Sequence, residues 1–284
     1  MTLIDGKKIA QDIKNDLKKE IDKFKHAKPT LAVILVGNNP ASETYIKMKK
    51  KACLEVGIKS MDIKLPKETT QDHLLKEIYK LNEAPNIDGI LVQLPLPSHI
   101  DERKITFSIH PDKDVDGFHP LNLGKMFLGY TDCFIPCTPL GIRTLLEKEN
   151  IQTLGKHIVI VGRSNIVGKP LAALLMQKGP DATVSIAHKK TEDLRSLTLS
   201  ADILITAAGD PRFFDSSYIK KQAVVIDVGI NKIVENGKTK IVGDVNFEEV
   251  APIVKKITPV PGGVGPMTIA MLLSNTFDSF CKRR

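Results

Sequence analysis

Apolar and polar positions along the chain alternate between two periods. Ile9, Ile13, Leu17, Ile21 and Phe24 recur at near-helical spacing, and L-A-V-I-L-V then runs unbroken up to Gly37. The first pattern gathers apolar side chains on one helix face, and the second is what a parallel strand covered on both sides carries. The alternation continues through a helix at 45–56, a strand at 61–65, a helix at 71–81 and the strand G-I-L-V-Q-L at 89–94. After a helix at 141–149 a second series begins, with strands H-I-V-I-V-G, T-V-S-I-A, A-D-I-L-I-T-A-A-G and A-V-V-I-D-V-G separated by helical segments. Two such series predict an α/β chain with parallel sheets, the second of them doubly wound. Asn236-Gly237, between β-like segments, predicts a hairpin within 235–243 that extends the second sheet. The last helical pattern covers 267–280. These patterns divide the chain into a domain at 1–140, a domain at 141–266 and a C-terminal helix, 267–284, that packs back on the first.

A length of 284 residues supports two domains, each with its own core. Hydrophobic residues at 42% and charged residues at 26% exclude a disordered chain. Cys53, Cys133, Cys137 and Cys281 form no C-x-x-C pair, the usage of reduced thiols in a cytoplasmic protein. Asp5, Lys7 and Lys8 fall where a signal peptide needs an apolar run, and no stretch reaches bilayer-spanning length, so a soluble protein off the membrane is expected. The formal charge of +8 raises nucleic acid as a partner. Against it, lysines such as Lys7, Lys8, Lys14, Lys18 and Lys19 are scattered over helix faces, and aromatic residues make up only 5%. Solvated helix faces, or attraction of small anionic ligands, account for the charge instead.

Candidate chemistry falls at three places. Between the strand ending at Val161 and the next helix lies G-R-S-N-I-V-G-K-P, with Gly162, Ser164 and Gly168 where a ligand phosphate meets free amides and a positive helix end. Five residues rather than four separate Gly162 from Gly168-Lys169, and Pro170 stands where a P-loop needs a hydroxyl, so this is not a P-loop and nucleoside triphosphate chemistry is disfavoured. The following strand ends in His188-Lys189-Lys190 rather than in an acidic residue, favouring NADP over NAD, with Arg163 and Lys189 as candidates for the 2′-phosphate. The alternative for Lys189 and Lys190 is a pair of solvated loop charges.

Tyr45 and Lys49, four apart on a helix, share one face. Tyr-x-x-x-Lys also occurs in short-chain dehydrogenases, but there it follows the Gly-rich turn, whereas here it precedes it. Gln93, between Val92 and Leu94, is a polar side chain in an apolar strand; it meets either a ligand or a neighbouring loop. P-D-K-D-V-D-G lacks the spacing of a calcium loop, so metal is not expected; Asp116 either receives the paired N–H donors of a heterocycle or caps its turn. The third place is T-P-V-P-G-G-V-G-P-M-T at 258–268, which serves either as a wall against a flat ligand or as a connecting loop.

Y-I-K-M-K, V-Q-L-P-L-P, P-D-K-D-V-D-G, C-F-I-P-C-T-P, G-R-S-N-I-V-G-K-P, V-I-D-V-G-I-N and T-P-V-P-G-G-V-G-P-M-T, in this order, closely resemble the bifunctional methylenetetrahydrofolate dehydrogenase/cyclohydrolase family over nearly the whole chain. The resemblance implies an N-terminal catalytic domain, a C-terminal Rossmann-like NADP domain with a folate cleft between them, and a homodimer. It implies oxidation of 5,10-methylenetetrahydrofolate and hydrolysis of the methenyl product to 10-formyltetrahydrofolate, in one-carbon metabolism and purine biosynthesis. Carried over residue by residue, Lys49 is the acid/base and Gln93 its holder. Tyr45 packs against the aminobenzoyl group and Asp116 anchors the pterin. Val92, Leu94, Pro261, Gly262 and Gly263 complete the substrate wall. Gly162, Arg163, Ser164 and Ile230 contact the cofactor; Lys189 departs from relatives that carry a small hydroxyl residue there.

Overall fold

The computed structural model describes residues 2–235 and 237–284. In chain order the first elements are β1 (Thr2–Leu3), α1 (Gly6–Asp22), β2 (Thr30–Val36), α2 (Pro40–Val56), β3 (Lys59–Leu65), α3 (Gln71–Glu83), β4 (Gly89–Val92), α4 (Glu102–Ser108) and α5 (Pro120–Phe127). There follow α6 (Cys137–Lys148), β5 (His157–Val161), α7 (Gly168–Leu175), β6 (Thr183–Ala187), α8 (Leu194–Leu199) and β7 (Ile203–Thr206). The last are β8 (Val224–Asp227), β9 (Asn231–Glu235), β10 (Lys238–Val242), α9 (Phe247–Val250), β11 (Lys256–Ile257) and α10 (Val264–Lys282).

The chain folds into two compact units, one of Gln11–Cys137 with Ile269–Arg284, the other of Met1–Ala10 with Thr138–Thr268. The first unit holds a parallel sheet in the order β3-β2-β4, in which Ile34 faces Val92 on one side and Ile63 on the other. Leu31 to Val36 are all buried, as their unbroken apolar run requires, and Ile34, Ile78 and Ile90 join one core. The strand expected at 89–94 ends at Val92. Gln93 N–H still donates to Ile34 O at 2.9 Å, but the prolines at 95 and 97 have no N–H to continue the ladder.

The second unit holds six parallel strands in the order β1-β11-β8-β7-β5-β6. From β5 the chain winds to β6 on one side and then returns to β7 on the other, so the winding reverses at β5. Thr2 and Leu3, which the sequence patterns group with the first domain, pair with Lys256 and Ile257 at the edge of this sheet. A two-residue strand is too short to leave a periodic signal.

The hairpin forms, with Glu235 opposite Lys238, but as a separate two-stranded sheet rather than an extension of the larger one. Its turn residue Asn236 lies outside the described residues. β9 alternates between half-buried and exposed positions and β10 is exposed up to Val242, so neither has the doubly covered apolar character that the six-stranded sheet is built from.

Candidate active site

In the first unit α2 turns Lys49 and Cys53 inward, and Tyr45, one turn earlier, is half-buried. Lys49 is only 8% exposed, and its Nζ donates to Gln93 Oε1 at 3.0 Å. Gln93 is half-buried and its Nε2 donates to Leu94 O at 2.8 Å, which fixes the amide with its oxygen toward the lysine. The α2 helix and the end of β4 thus jointly build a polar contact inside an apolar setting. Burial lowers the Lys49 pKa, while the charge of Asp116 opposes that shift. Burial likewise raises the Asp116 carboxyl, opposed by Lys49. Tyr45 is raised by burial, so its phenol stays protonated. Together these groups offer an amine poised for proton exchange, a carboxyl within its field and an aromatic ring one helical turn away. Val92 is buried and Leu94 half-buried on either side of Gln93.

Side chains to which the sequence reading gave no role hold Asp116 in place. Lys113 is buried, and its Nζ donates to Leu81 O, Asn82 O and Ala84 O at 2.8, 2.6 and 2.8 Å, closing the C-terminal end of α3. Burial pushes Lys113 down to about 8. Asp114, pushed up to about 7 by burial, accepts His119 N–H at 2.7 Å and Asn122 Nδ2 at 2.9 Å. Behind them Asn275 of α10 donates to Val115 O at 2.8 Å and Ile135 O at 3.1 Å. The buried Cys137 thiol donates to Val115 O at 3.3 Å and lies against the Asp116 carboxyl. The motif P-D-K-D-V-D-G therefore divides its work: Lys113 and Asp114 anchor, and Asp116 is left facing Lys49. A lysine flanked by aspartates in a turn carries no sequence signal that distinguishes a buried cap from a solvated charge.

In the second unit every cofactor candidate, and the substrate-wall candidates Pro261, Gly262 and Gly263, lie at the carboxyl edge of the six-stranded sheet. Gly162 follows β5, Lys189 follows β6, Ile230 follows β8, and Pro261, Gly262 and Gly263 follow β11. Gly162 has φ +147°, and a Cβ there would collide with Ala207 O, so the backbone of β5 and the turn after β7 meet where no side chain fits. Ser164 Oγ accepts Val167 N–H at 3.1 Å and Gly168 N–H at 3.4 Å, tightening the start of α7. Arg163 is exposed on the same turn. This glycine-floored turn, at the strand where the winding reverses, fits a dinucleotide whose pyrophosphate approaches the backbone. Lys189 is not a free loop charge: its Nζ pairs with Asp210 Oδ2 at 2.9 Å, across from the turn after β7. The 258–268 segment is loop only up to Gly263, since Val264 opens α10. A Cβ on Gly263 would stand 2.7 Å from both Pro259 O and Thr258 Cβ, so this part of the segment packs too closely for a side chain.

Two buried aspartates, unremarked in the sequence, brace these loops. Asp244 Oδ2 accepts Ala208 and Gly209 N–H at 2.6 and 3.1 Å, and its Oδ1 accepts Asp210 N–H and Asn231 Nδ2 at 3.0 and 2.8 Å. Asp227 Oδ1 accepts Thr206 Oγ1, Gly229 N–H and Asp244 N–H at 3.1, 2.9 and 3.0 Å, and its Oδ2 accepts Val245 N–H at 2.9 Å. Each carboxylate replaces water for a set of backbone donors, so the turns after β7 and β8 are fixed before any ligand arrives.

Comparison with known proteins also finds two parts, although the second match includes the C-terminal segment 269–284 that the structure groups with the first unit. Residues 4–116 match the model of the tetrahydrofolate dehydrogenase/cyclohydrolase catalytic domain, and residues 136–284 that of the tetrahydrofolate dehydrogenase/cyclohydrolase NAD(P)-binding domain. The bifunctional protein FolD of Protochlamydia amoebophila is 53% identical, over 99% of this chain and 98% of that protein. The crystal structure of bifunctional FolD methylenetetrahydrofolate dehydrogenase/cyclohydrolase from Campylobacter jejuni superposes with TM-score 0.96 at 52% identity, covering 100% of both chains. The Trypanosoma brucei dehydrogenase-cyclohydrolase, solved with NADP cofactor and an inhibitor, superposes with TM-score 0.94 at 36% identity over 99% of this chain and 97% of that one.

Proposed function

The chain belongs to the tetrahydrofolate dehydrogenase/cyclohydrolase family, and we propose that one site around Lys49 serves both of its reactions. The protein oxidises 5,10-methylenetetrahydrofolate with NADP+ and hydrolyses 5,10-methenyltetrahydrofolate to 10-formyltetrahydrofolate. The observation that carries the role of Lys49 is its burial with Nζ held 3.0 Å from Gln93 Oε1. The bound nicotinamide supplies the hydride acceptor of the first step. In the second step neutral Lys49 takes a proton from the water that attacks the methenyl carbon. The protonated amine then returns that proton to N5 as the carbon–N5 bond breaks, and the water's other proton leaves to solvent. A lysine with an unperturbed pKa is nearly all ammonium at neutral pH; burial raises the fraction able to act as base.

Gln93 keeps the amine aimed and retains its proton between the two transfers. Asp116 receives N–H donors of the pterin, Tyr45 packs along the aminobenzoyl ring, and Val92, Leu94, Pro261, Gly262 and Gly263 form the substrate wall. The first unit thus acts as the catalytic domain and the second as the NADP domain. There Gly162, Arg163, Ser164 and Ile230 hold the cofactor, and Lys189 favours its 2′-phosphate. We further assign a homodimer, as the family resemblance implies, and a cytoplasmic location, supported by four free cysteines.

The test mixes purified protein with 5,10-methylenetetrahydrofolate and either NADP+ or NAD+, following reduced nicotinamide and the methenyl product separately. Reduction of NADP+ with little methenyl accumulation is expected. Lys49→Met should abolish hydrolysis and leave NADP+ binding intact; undiminished hydrolysis would remove Lys49 from this role.

A further inference from the structure

A second concave site lies at the opposite, amino edge of the six-stranded sheet, where the segments leading into β5, β7, β8 and β11 converge. It encloses about 430 Å³ between Asn150 and Lys256. Its wall carries five lysines, Lys156, Lys220, Lys221, Lys255 and Lys256, and one carboxylate, Asp202. Two lysines are already engaged: Lys220 Nζ with Asp202 Oδ1 at 2.8 Å, and Lys256 Nζ with Glu149 Oε2 at 2.7 Å. Lys156, Lys221 and Lys255 have no ion pair within 4 Å among the described residues, although the Lys156 charge reaches Asp202 through space. With the two carboxylates counted, the formal charge around the cavity is +3.

Two wall residues have left-handed φ, Asn150 at 51° and Gln222 at 64°. Asn150 caps the end of α6, with Ile151 N–H on Leu146 O at 2.9 Å, whereas Gln222 holds that conformation at a cost that surrounding structure must offset. The local main-chain donors are spent: Gln222 N–H goes to Ile253 O at 2.9 Å and Lys255 N–H to Ala223 O at 2.9 Å. A ligand here is therefore met by ammonium and amide side chains.

We propose that this cavity binds a polyphosphate chain, either free or carried by a nucleotide. Three exposed lysines without ion pairs around one cavity favour a ligand with three or four negative charges within a few atoms, and linked phosphoryl groups supply that density. Lysine is suited to this role as a point charge on a flexible stem. A carboxylate peptide would spread the same charge over roughly 10 Å at about 3.3–3.6 Å per residue. The site is distinct from the carboxyl edge, so its occupancy does not rest on the folate chemistry.

Inorganic tripolyphosphate and ATP are titrated calorimetrically into the full-length protein saturated with NADP+, so that the dinucleotide site is filled. Lys156→Gln, Lys221→Gln and Lys255→Gln combined should weaken tripolyphosphate at least tenfold. The same change at Lys18, Lys25 and Lys76, exposed lysines of the first unit, should leave it within twofold. NADP+ reduction by each variant verifies folding without reporting on this cavity. Tighter binding of ATP than of tripolyphosphate identifies a nucleotide as the source, and equal binding a free chain. Absence of binding at 5 mM tripolyphosphate, or equal losses in both triple variants, overturns the proposal.

Discussion

Exchanging the Gln93 side chain should move the pH profile of hydrolysis in opposite directions according to the replacement. Gln93 Oε1 accepts a hydrogen bond from buried Lys49 at 3.0 Å. Hydrogen bonds to charged groups contribute about 1.5–3 kcal/mol, and 1.36 kcal/mol corresponds to one pH unit. Gln93→Met removes the acceptor at similar length, so the ammonium form loses that support. The limb on which hydrolysis rises with pH should then move about one to two units toward acid. Gln93→Glu places a full negative charge at the same point. At 3.0 Å and an effective dielectric constant near 20, its attraction for the ammonium is at most about 5.5 kcal/mol, so the limb moves toward alkali by up to about four units. Both replacements lose the bond from Nε2 to Leu94 O, so that common loss cannot produce opposite shifts. The assay follows disappearance of 5,10-methenyltetrahydrofolate across pH, corrected for the enzyme-free rate, with NADP+ reduction recorded beside it. Shifts of the same sign in the two variants, or unmoved profiles with activity retained, would refute the role of Gln93 in holding the Lys49 proton.

Asp244→Asn presents an NH2 to two of the four donors that the carboxylate now satisfies, and about 1–3 kcal/mol per unsatisfied group implies a loss near 3 kcal/mol with at least tenfold weaker NADP+ binding. Urea unfolding followed by circular dichroism reads the first, and an unchanged midpoint would count against it. Asp210→Asn releases Lys189 from its ion pair and should lower the KM for NADP+ by about two- to fivefold, the range of an exposed pair, without moving that for NAD+. Alkylation with iodoacetamide at pH 8, mapped by mass spectrometry, should label exposed Cys281 before half-buried Cys133. Buried Cys53, pushed up to about 12, and Cys137 should be spared until the protein unfolds.

The strands and helices around the sites were legible because L-A-V-I-L-V and H-I-V-I-V are continuous apolar runs that only a doubly covered strand explains. The bond between Lys49 and Gln93 joins residues 44 apart, and sequence offered only two polar oddities to be paired. What remained hidden shares one property: its meaning depends on distant partners. Lys113 reads as a surface charge until three carbonyls at the end of α3 surround it. Asp244 reads as a turn residue until the amides of 208–210 converge on it. Lys189 reads as a free cation until Asp210, 21 residues later, takes it. The hairpin was legible but its separateness was not, because turn chemistry reports that two strands pair, not which sheet they join.

Asn275 reaches back 160 residues to hold the carbonyl beside Asp116, and Thr2–Leu3 wait for Lys256–Ile257 to complete their sheet. During synthesis, therefore, β1 stays unpaired until Ile257 is made, and the first unit waits for Asn275 of α10. A nascent or truncated chain carries Lys49 and Gln93 without the clamp behind Asp116. The wall behind Asp116 therefore closes late in synthesis, after both sheets have been made.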